Sequence, residues 1–235
     1  MTIADASAEP DIRVLLVDDQ DLFREGVRVI VDAQPGMRVV GGAADGREAV
    51  RLVEELAPDV VLMDIRMPEM DGVEATRQIF APHRVQRRER PVRVIVLTTF
   101  NLDDRAATAI RHGASGFLLK HTTPAMLRDA IRTVHAGNAV LAPADLSALF
   151  DAQFGAVGSV GAAAADPPPP SYLALTEKER EIFDAVARGL SNAEIGRQLH
   201  LSESTVKTHV GALLRKLQLR DRVQIVVFAH EHGLV

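Results

Sequence analysis

Five short apolar runs punctuate the first part of the chain, and each is followed by an amphipathic stretch. The runs lie near residues 13–17, 37–41, 59–63, 92–97 and 115–119; the stretches lie near 21–33, 46–57, 72–80, 103–112 and 123–136. Runs this short and continuously apolar, rich in Val, Ile and Leu, are the pattern of strands buried on both faces, as in parallel sheets. Strand and helix alternating five times predict an α/β fold: a five-stranded, doubly wound parallel sheet with helices on both sides. The flavodoxin-like order 2-1-3-4-5 is the expected topology.

Each of four runs ends in a polar residue. Asp18 and Asp19 follow Val14–Val17, Asp64 follows Val60–Met63, Thr98 follows Val94–Leu97, and Lys120 follows Phe117–Leu119. Ligands of an open parallel sheet gather at the carboxyl ends of its strands, so three acids, a hydroxyl and an ammonium should meet on one edge. Three clustered carboxylates repel one another unless a cation neutralises them. Magnesium suits them, because it takes oxygen ligands and is commonly held by one or two carboxylates together with a phosphate. Asp64, at the tip of the central strand, is the expected phosphoacceptor, with Asp18 and Asp19 holding the metal. Lys120 and Thr98 would supply donors to the added oxygens. Singly, the strand-end acids could just cap helices, Thr98 could be a strand former and Lys120 a solvated charge. Their joint placement favours the site.

At 235 residues, with 47% hydrophobic and 25% charged, the chain fits two modest globular domains. It has no cysteine, which excludes disulfides, thiolate zinc sites and cysteine nucleophiles. Neither a secretory signal nor an apolar run of membrane-spanning length is visible, so no membrane association and a cytoplasmic location are expected. Residues 1–11 read as a disordered lead-in and 12–136 as the α/β domain. Residues 137–171 read as a linker, where Leu141–Phe150 could add a short helix before Pro167–Pro170 break regular structure. The basic run His83–Arg90, just before the fourth strand, reads as a solvated loop, with a docking patch as the alternative.

The remaining segment, 172–235, carries a series of helix starts. Thr176 with Glu179 forms a capping-box pattern, Ser191-Asn192 opens a short helix after Gly189, Ser202 or Ser204 opens a longer one, and Asp221 opens the last. Four helices in about 60 residues match a small all-α helix-turn-helix domain. The net charge of −5 hides an uneven distribution: 18 basic against 22 acidic residues in 1–150, but five against two in 202–222. Such a local basic patch suits phosphate contact. In the third helix Val206, Val210, Leu213, Leu214 and Leu217 form a core stripe, leaving Lys207, Thr208, Gly211 and Arg215 on the opposite side. Ser204, Thr205 and Lys216 complete the candidate DNA contacts. Alone, this would read as an ordinary surface helix.

The segments Val17-Asp18-Asp19, Met63-Asp64-Ile65-Arg66-Met67-Pro68 with Met70-Asp71-Gly72, Leu97-Thr98-Thr99-Phe100 and Gly113–Lys120 resemble the hallmarks of response-regulator receiver domains. Leu175–Glu181, Gly189–Ile195, Thr205–Val210 and Leu214–Leu217 resemble a LuxR-type helix-turn-helix. Together they identify a two-component regulator of the NarL/FixJ class. The resemblance implies that a sensor histidine kinase phosphorylates Asp64, and that the Arg66 backbone carbonyl joins the magnesium ligands. It implies that Thr98 and Phe117 act as a switch pair and that Lys207 and Thr208 meet bases of promoter DNA. The last helix, with Val223, Val226 and Val227, would be the homodimer surface after phosphorylation, with packing on its own domain as the alternative. RNA polymerase is a further possible partner. Such a chain is a phosphoacceptor rather than an enzyme, capable only of self-catalysed phosphotransfer and slow autodephosphorylation.

In this class the inactive receiver often packs against the recognition helix. His121 stands where many receivers have proline after the lysine, so a cis bond is not expected there. Gly211 stands where several relatives carry a longer polar side chain. Arg66 and Phe100 occupy positions linked to phosphoryl lifetime, and their bulk should shield the bond from water. A metal-dependent phosphatase is one rival, but it commonly needs an acid two residues after its nucleophile, where this chain has Arg66. A phosphorylation-independent scaffold or DNA-binding protein is the other.

Overall fold

A computed structural model of the chain describes residues 10–99, 104–138 and 167–234. Residues 1–9 of the lead-in, Phe100 and the helix considered over Leu141–Phe150 lie outside the described residues. Strands β1 (Ile12–Val17), β2 (Met37–Ala43), β3 (Val60–Asp64), β4 (Arg93–Thr98) and β5 (Gly116–Leu119) form one sheet in the order β2-β1-β3-β4-β5. Every pairing is parallel, as the apolar runs predict.

Period-two alternation sorts the strand side chains between two cores. Leu15, Val17, Val61, Met63, Val94, Val96 and Phe117 face one layer, packed with α2 (Gly46–Leu56), α3 (Gly72–Ile79) and α5 (Asp104–Arg111). Val14, Leu16, Val60, Leu62, Ile95, Leu97 and Leu118 face the other, with α1 (Asp21–Asp32) and α6 (Pro124–His135). Helix starts follow local chemistry. The Asp45 carboxylate accepts from Arg47 N and Glu48 N, Asp71 accepts from Glu74 N, and Thr123 caps α6 with Pro124 at its first position.

The run His83–Arg90 is more ordered than a solvated loop. It contains a short helix, α4 (Pro82–Val85), and Arg88 bridges Glu54 at 2.5 Å and the Ile79 carbonyl at 2.7 Å. Arg84 lies 3.6 Å from the same Glu54. Glu54 on α2 thus recruits two of the four arginines.

After the gap, Pro170 starts a short helix, α7 (Pro170–Leu173), where a proline costs nothing because a first-turn N–H has no helical partner. Then come α8 (Glu177–Ala187), α9 (Asn192–Leu199), α10 (Glu203–Leu217) and α11 (Arg222–Glu231). Thr176–Glu179 and Ser191–Glu194 both form reciprocal capping boxes, and Ser202 rather than Ser204 caps α10. Ile182, Phe183, Val186, Ile195, Val206, Leu213 and Ile225 fill this bundle's core.

Val223, Val226 and Val227 do not join that core. They are buried in the layer of the sheet domain that contains α5 and Phe117. The two domains meet through α11 and the residues before it, whereas α10 stays exposed at Lys207, Thr208 and Arg215. The receiver thus meets α11, whereas in this class it often packs against the recognition helix.

Candidate functional site

The strand-end residues converge. The carboxylate oxygens of Asp18, Asp19 and Asp64 lie within 4.8 Å of one another. Lys120 Nζ sits 2.7 Å from Asp18 Oδ2 and 2.9 Å from Asp64 Oδ2. Asp18 and Asp64 are buried and Asp19 is exposed, so the cluster opens to solvent on one side. Thr98 is buried beside them, and its carbonyl accepts from Lys120 N at 2.7 Å, which ties the ends of β4 and β5 together. A cleft of about 140 Å³ is bounded by Asp19, Gln20, Asp64, Ile65, Arg66, Thr98, Thr99 and Lys120.

Local structure explains why Asp64 points into this cleft. The chain leaves β3 and returns at once, with Gly72 N donating to Ile65 O at 2.9 Å. A Cβ on Gly72 would lie 2.0 Å from the Asp64 carbonyl oxygen, so only glycine allows the return. Asp18 is not the cap of α1. Its Oδ1 accepts from Gln20 N at 2.9 Å, while Gln20, the residue at the cap position, makes no side-chain cap bond. Asp18 Oδ2 is buried and faces the Lys120 charge without an aligned hydrogen bond. A buried oxygen in that condition, next to two further carboxylates, fits a hard divalent cation.

The electrostatics agree. Burial raises the Asp64 pKa, opposed by the hydrogen bond and charge of Lys120 and by the Arg66 N–H, and reinforced by the Asp18 charge. Burial works to lower the Lys120 pKa, but the two carboxylates outweigh it and hold the ammonium above its ordinary value. Lys120 also lies 4.9 Å from the centroid of the Phe23 ring. Phe117 is buried beneath the site in the core shared with α5. Arg66 is exposed at the cleft's rim. No cis peptide occurs among the described residues, the bond between Lys120 and His121 included.

In the second domain α10 buries Val206, Val210, Leu213 and Leu217 and exposes Ser204, Lys207, Thr208, Arg215 and Lys216, with Thr205 half-buried. Ser202 Oγ lies 2.9 Å from Ser204 Oγ and 2.7 Å from Thr205 Oγ1, so hydroxyls cluster at the helix start. A Cβ on Gly211 would meet the Arg215 guanidinium in ordinary contact, at 3.8 Å. Lys216, one of the candidate DNA contacts, is engaged elsewhere: its Nζ donates to Glu179 Oε2 at 2.7 Å and braces α10 against α8. Glu194 is a capping residue, held below the usual carboxylate range by bonds from Ser191. The pairing of Lys216 with Glu179, across 37 positions of sequence, has no linear signal beyond the capping-box role of Glu179.

Residues 14–132 match the family described as the response regulator receiver domain, and residues 173–229 match the bacterial regulatory proteins of the luxR family. The transcriptional regulatory protein LiaR of Bacillus subtilis (strain 168) is 41% identical over 228 residues, covering 95% of this chain and 99% of LiaR. The chain belongs to the LuxR-type response regulators. The regulatory protein YxjL of the same organism is 39% identical over 95% of this chain and 97% of its own length. VraR of Staphylococcus aureus (strain NCTC 8325 / PS 47) is 36% identical over 95% and 99%. Among solved structures, the signal receiver domain of NarL from Mycobacterium tuberculosis superposes with a TM-score of 0.50 at 35% identity, over 55% of this chain and all of that one. The response regulator RcsB of Salmonella typhimurium shares the fold at a TM-score of 0.51 and 21% identity, over 97% of this chain and all of that one. A response regulator of this family is a phosphorylation-controlled transcription regulator with a histidine kinase and DNA as partners, not an enzyme in the usual sense. Among the described residues no helix is long and apolar enough to cross a membrane.

Proposed function

We propose that the Asp64 carboxylate takes a phosphoryl group from the phosphohistidine of a sensor kinase. A carboxylate oxygen forms the new P–O bond, the P–N bond breaks, and the imidazole leaves with the electron pair, giving a mixed anhydride on Asp64. The observation that carries this reading is the buried corner in which Asp64 and Asp18 share one ammonium, with Asp19 beside them. Asp18, Asp19, Asp64 and the Arg66 carbonyl would hold Mg2+, which when bound supplies positive charge for the phosphoryl oxygens. Lys120 donates to the added oxygens, Thr98 offers its hydroxyl, and Phe117 follows the movement of Thr98.

The phosphorylated chain then dimerises through Val223, Val226 and Val227. It reads promoter DNA with Ser204, Thr205, Lys207, Thr208 and Arg215, two half-sites lying about one helical turn apart. Lys216, already paired, contributes mainly as a brace. The setting is cytoplasmic, and RNA polymerase is the expected next partner at the promoter. Acetyl phosphate should label the full chain in the presence of Mg2+, with labelling suppressed by a chelator and abolished in Asp64→Asn. Undiminished acyl-phosphate labelling of Asp64→Asn would overturn the assignment.

A further inference from the structure

We propose that the protein binds a small organic monoanion, a carboxylate on a single ring, in a cavity between the end of α3 and the start of β4, with Arg88 and Arg220 as its charge partners. The cavity has a volume of about 230 Å³, below the roughly 300–1,000 Å³ of pockets for drug-sized ligands and enough for one ring. Phe80, Val85, Pro91 and Val92 give it an apolar wall, and the two arginines stand among them. It lies at the amino edge of the sheet, because Pro91 and Val92 lead into β4 and Phe80 follows α3. The phosphoryl cleft occupies the opposite, carboxyl edge, so this site is separate from it and does not rest on the function proposed above.

An apolar cavity is an unfavourable place for two cations. Burial holds the Arg220 guanidinium down at about 10, with Asp221 opposing and the Arg88 charge adding to the effect. Both side chains also have unused donors. Arg220 Nη1 and Arg88 Nε are buried with no hydrogen-bond partner among the described residues. A carboxylate answers both conditions at once, since it brings a negative charge and two acceptor oxygens. Arg220 is already positioned for it. Its guanidinium carbon lies 3.5 Å from the centroid of the Phe80 ring, and its Nη2 fits against Gly113, where a Cβ would come within 2.1 Å. At that distance the ring meets the guanidinium face, which leaves in-plane N–H groups for another partner.

Local charge sets the charge of the ligand. Arg88, Arg90 and Arg220 line the cavity together with Glu89, three positive groups against one negative. Glu54 already pairs with Arg88 at 2.5 Å, so one positive charge is left over. Asp221 is not part of the wall; its oxygens accept from the Ser115 hydroxyl at 2.7 Å and from Gln224 N at 3.2 Å. A monoanion matches this balance, whereas a phosphate dianion would leave negative charge uncompensated in a mainly apolar site. Arg220 belongs to the second domain and the rest of the wall to the receiver, so the bound anion touches both.

The test titrates the full chain with sodium benzoate, followed by ligand-observed NMR, with benzamide and inorganic phosphate as competitors. Benzoate should saturate one site with a dissociation constant on the order of 1 mM. Benzamide has the ring without the charge and phosphate the charge without the ring, so each should displace benzoate only at concentrations about ten-fold higher or not at all. Arg88→Gln and Arg220→Gln should each weaken benzoate about ten-fold, while Arg87→Gln, exposed and outside the cavity wall, should leave it unchanged. Val85→Phe keeps both arginines and fills the cavity from the exposed side of α4, so it should abolish binding even where an arginine variant fails to fold by circular dichroism. Benzoate that does not saturate below roughly 20 mM overturns the proposal. Benzoate affinity that survives both Arg88→Gln and Val85→Phe overturns the placement, and displacement by phosphate at equal concentration overturns the ligand class.

Discussion

Replacing Lys120 with methionine should leave a receiver that depends on a divalent cation for its stability. The ammonium lies 2.7 Å from Asp18 and 2.9 Å from Asp64, with little access to solvent. Methionine keeps an unbranched stem beside Phe23 and deletes the charge. The two carboxylates, with oxygens within 4.8 Å of each other, then repel by roughly 3.5 kcal/mol at an effective dielectric of about 20. Proton uptake by Asp64, whose pKa burial already raises, limits the loss, at about 1.4 kcal/mol per unit between its pKa and the ambient pH. A loss of about 3 kcal/mol is expected, in line with breaking a buried ion pair by removing one partner. For a domain of this size that is on the order of 10 °C in Tm. Thermal unfolding in chelator and in millimolar Mg2+ measures it. The deficit should be large in chelator and shrink with Mg2+, because the metal takes over the neutralisation and binds only the folded site. An equal deficit in both conditions, or none in chelator, would refute the electrostatic reasoning.

Other perturbations probe separate parts of the account. Gly72→Ala should displace Asp64, since a Cβ would meet its carbonyl oxygen at 2.0 Å; acetyl phosphate labelling should fall at least ten-fold in whatever fraction remains folded by circular dichroism. Glu179, held at about 2 by the Lys216 ammonium, contributes stability that is present above about pH 4.5 and lost as pH falls through about 2. Lys216→Ala should therefore reduce stability at neutral pH and move acid unfolding of the DNA-binding domain to higher pH, as followed by far-ultraviolet circular dichroism. Lys207→Ala should weaken DNA binding and reduce the slope of log affinity against log salt by about one if the lysine meets a phosphate; an unchanged slope with altered sequence preference would assign it to bases instead. Bulky residues at positions 66 and 100 of the sequence should give a long-lived phosphoryl group, and loss of label within seconds would contradict that.

The sheet and the clustering of the residues at its carboxyl edge were legible in the sequence because both depend on strand ends. A run such as Val60-Val61-Leu62-Met63 fixes a buried strand, its last residue fixes a position on the carboxyl edge, and the topology brings the edges together. Helix starts were legible for a similar local reason, as Thr176 with Glu179 illustrates. Contacts between distant side chains were not. Glu54 gathering Arg84 and Arg88, Lys216 turning toward Glu179, and Ser115 meeting Asp221 each depend on how two surfaces lie in space. Polar residues of this kind are indistinguishable in sequence from solvated ones. The orientation of α11 was hidden because Val223, Ile225, Val226 and Val227 are apolar almost all round the helix, leaving no polar side to say which face meets which domain.

Affinity for DNA in two phosphorylation states tests the central claim most directly. Fragments selected from genomic DNA by the phosphorylated chain should be titrated by fluorescence anisotropy, at fixed salt, with the parent chain and Asp64→Asn, each before and after acetyl phosphate and Mg2+. The account predicts at least a ten-fold gain in affinity for the treated parent chain and none for Asp64→Asn. Equal affinities of the parent chain in both states, or a full gain in Asp64→Asn, would contradict it.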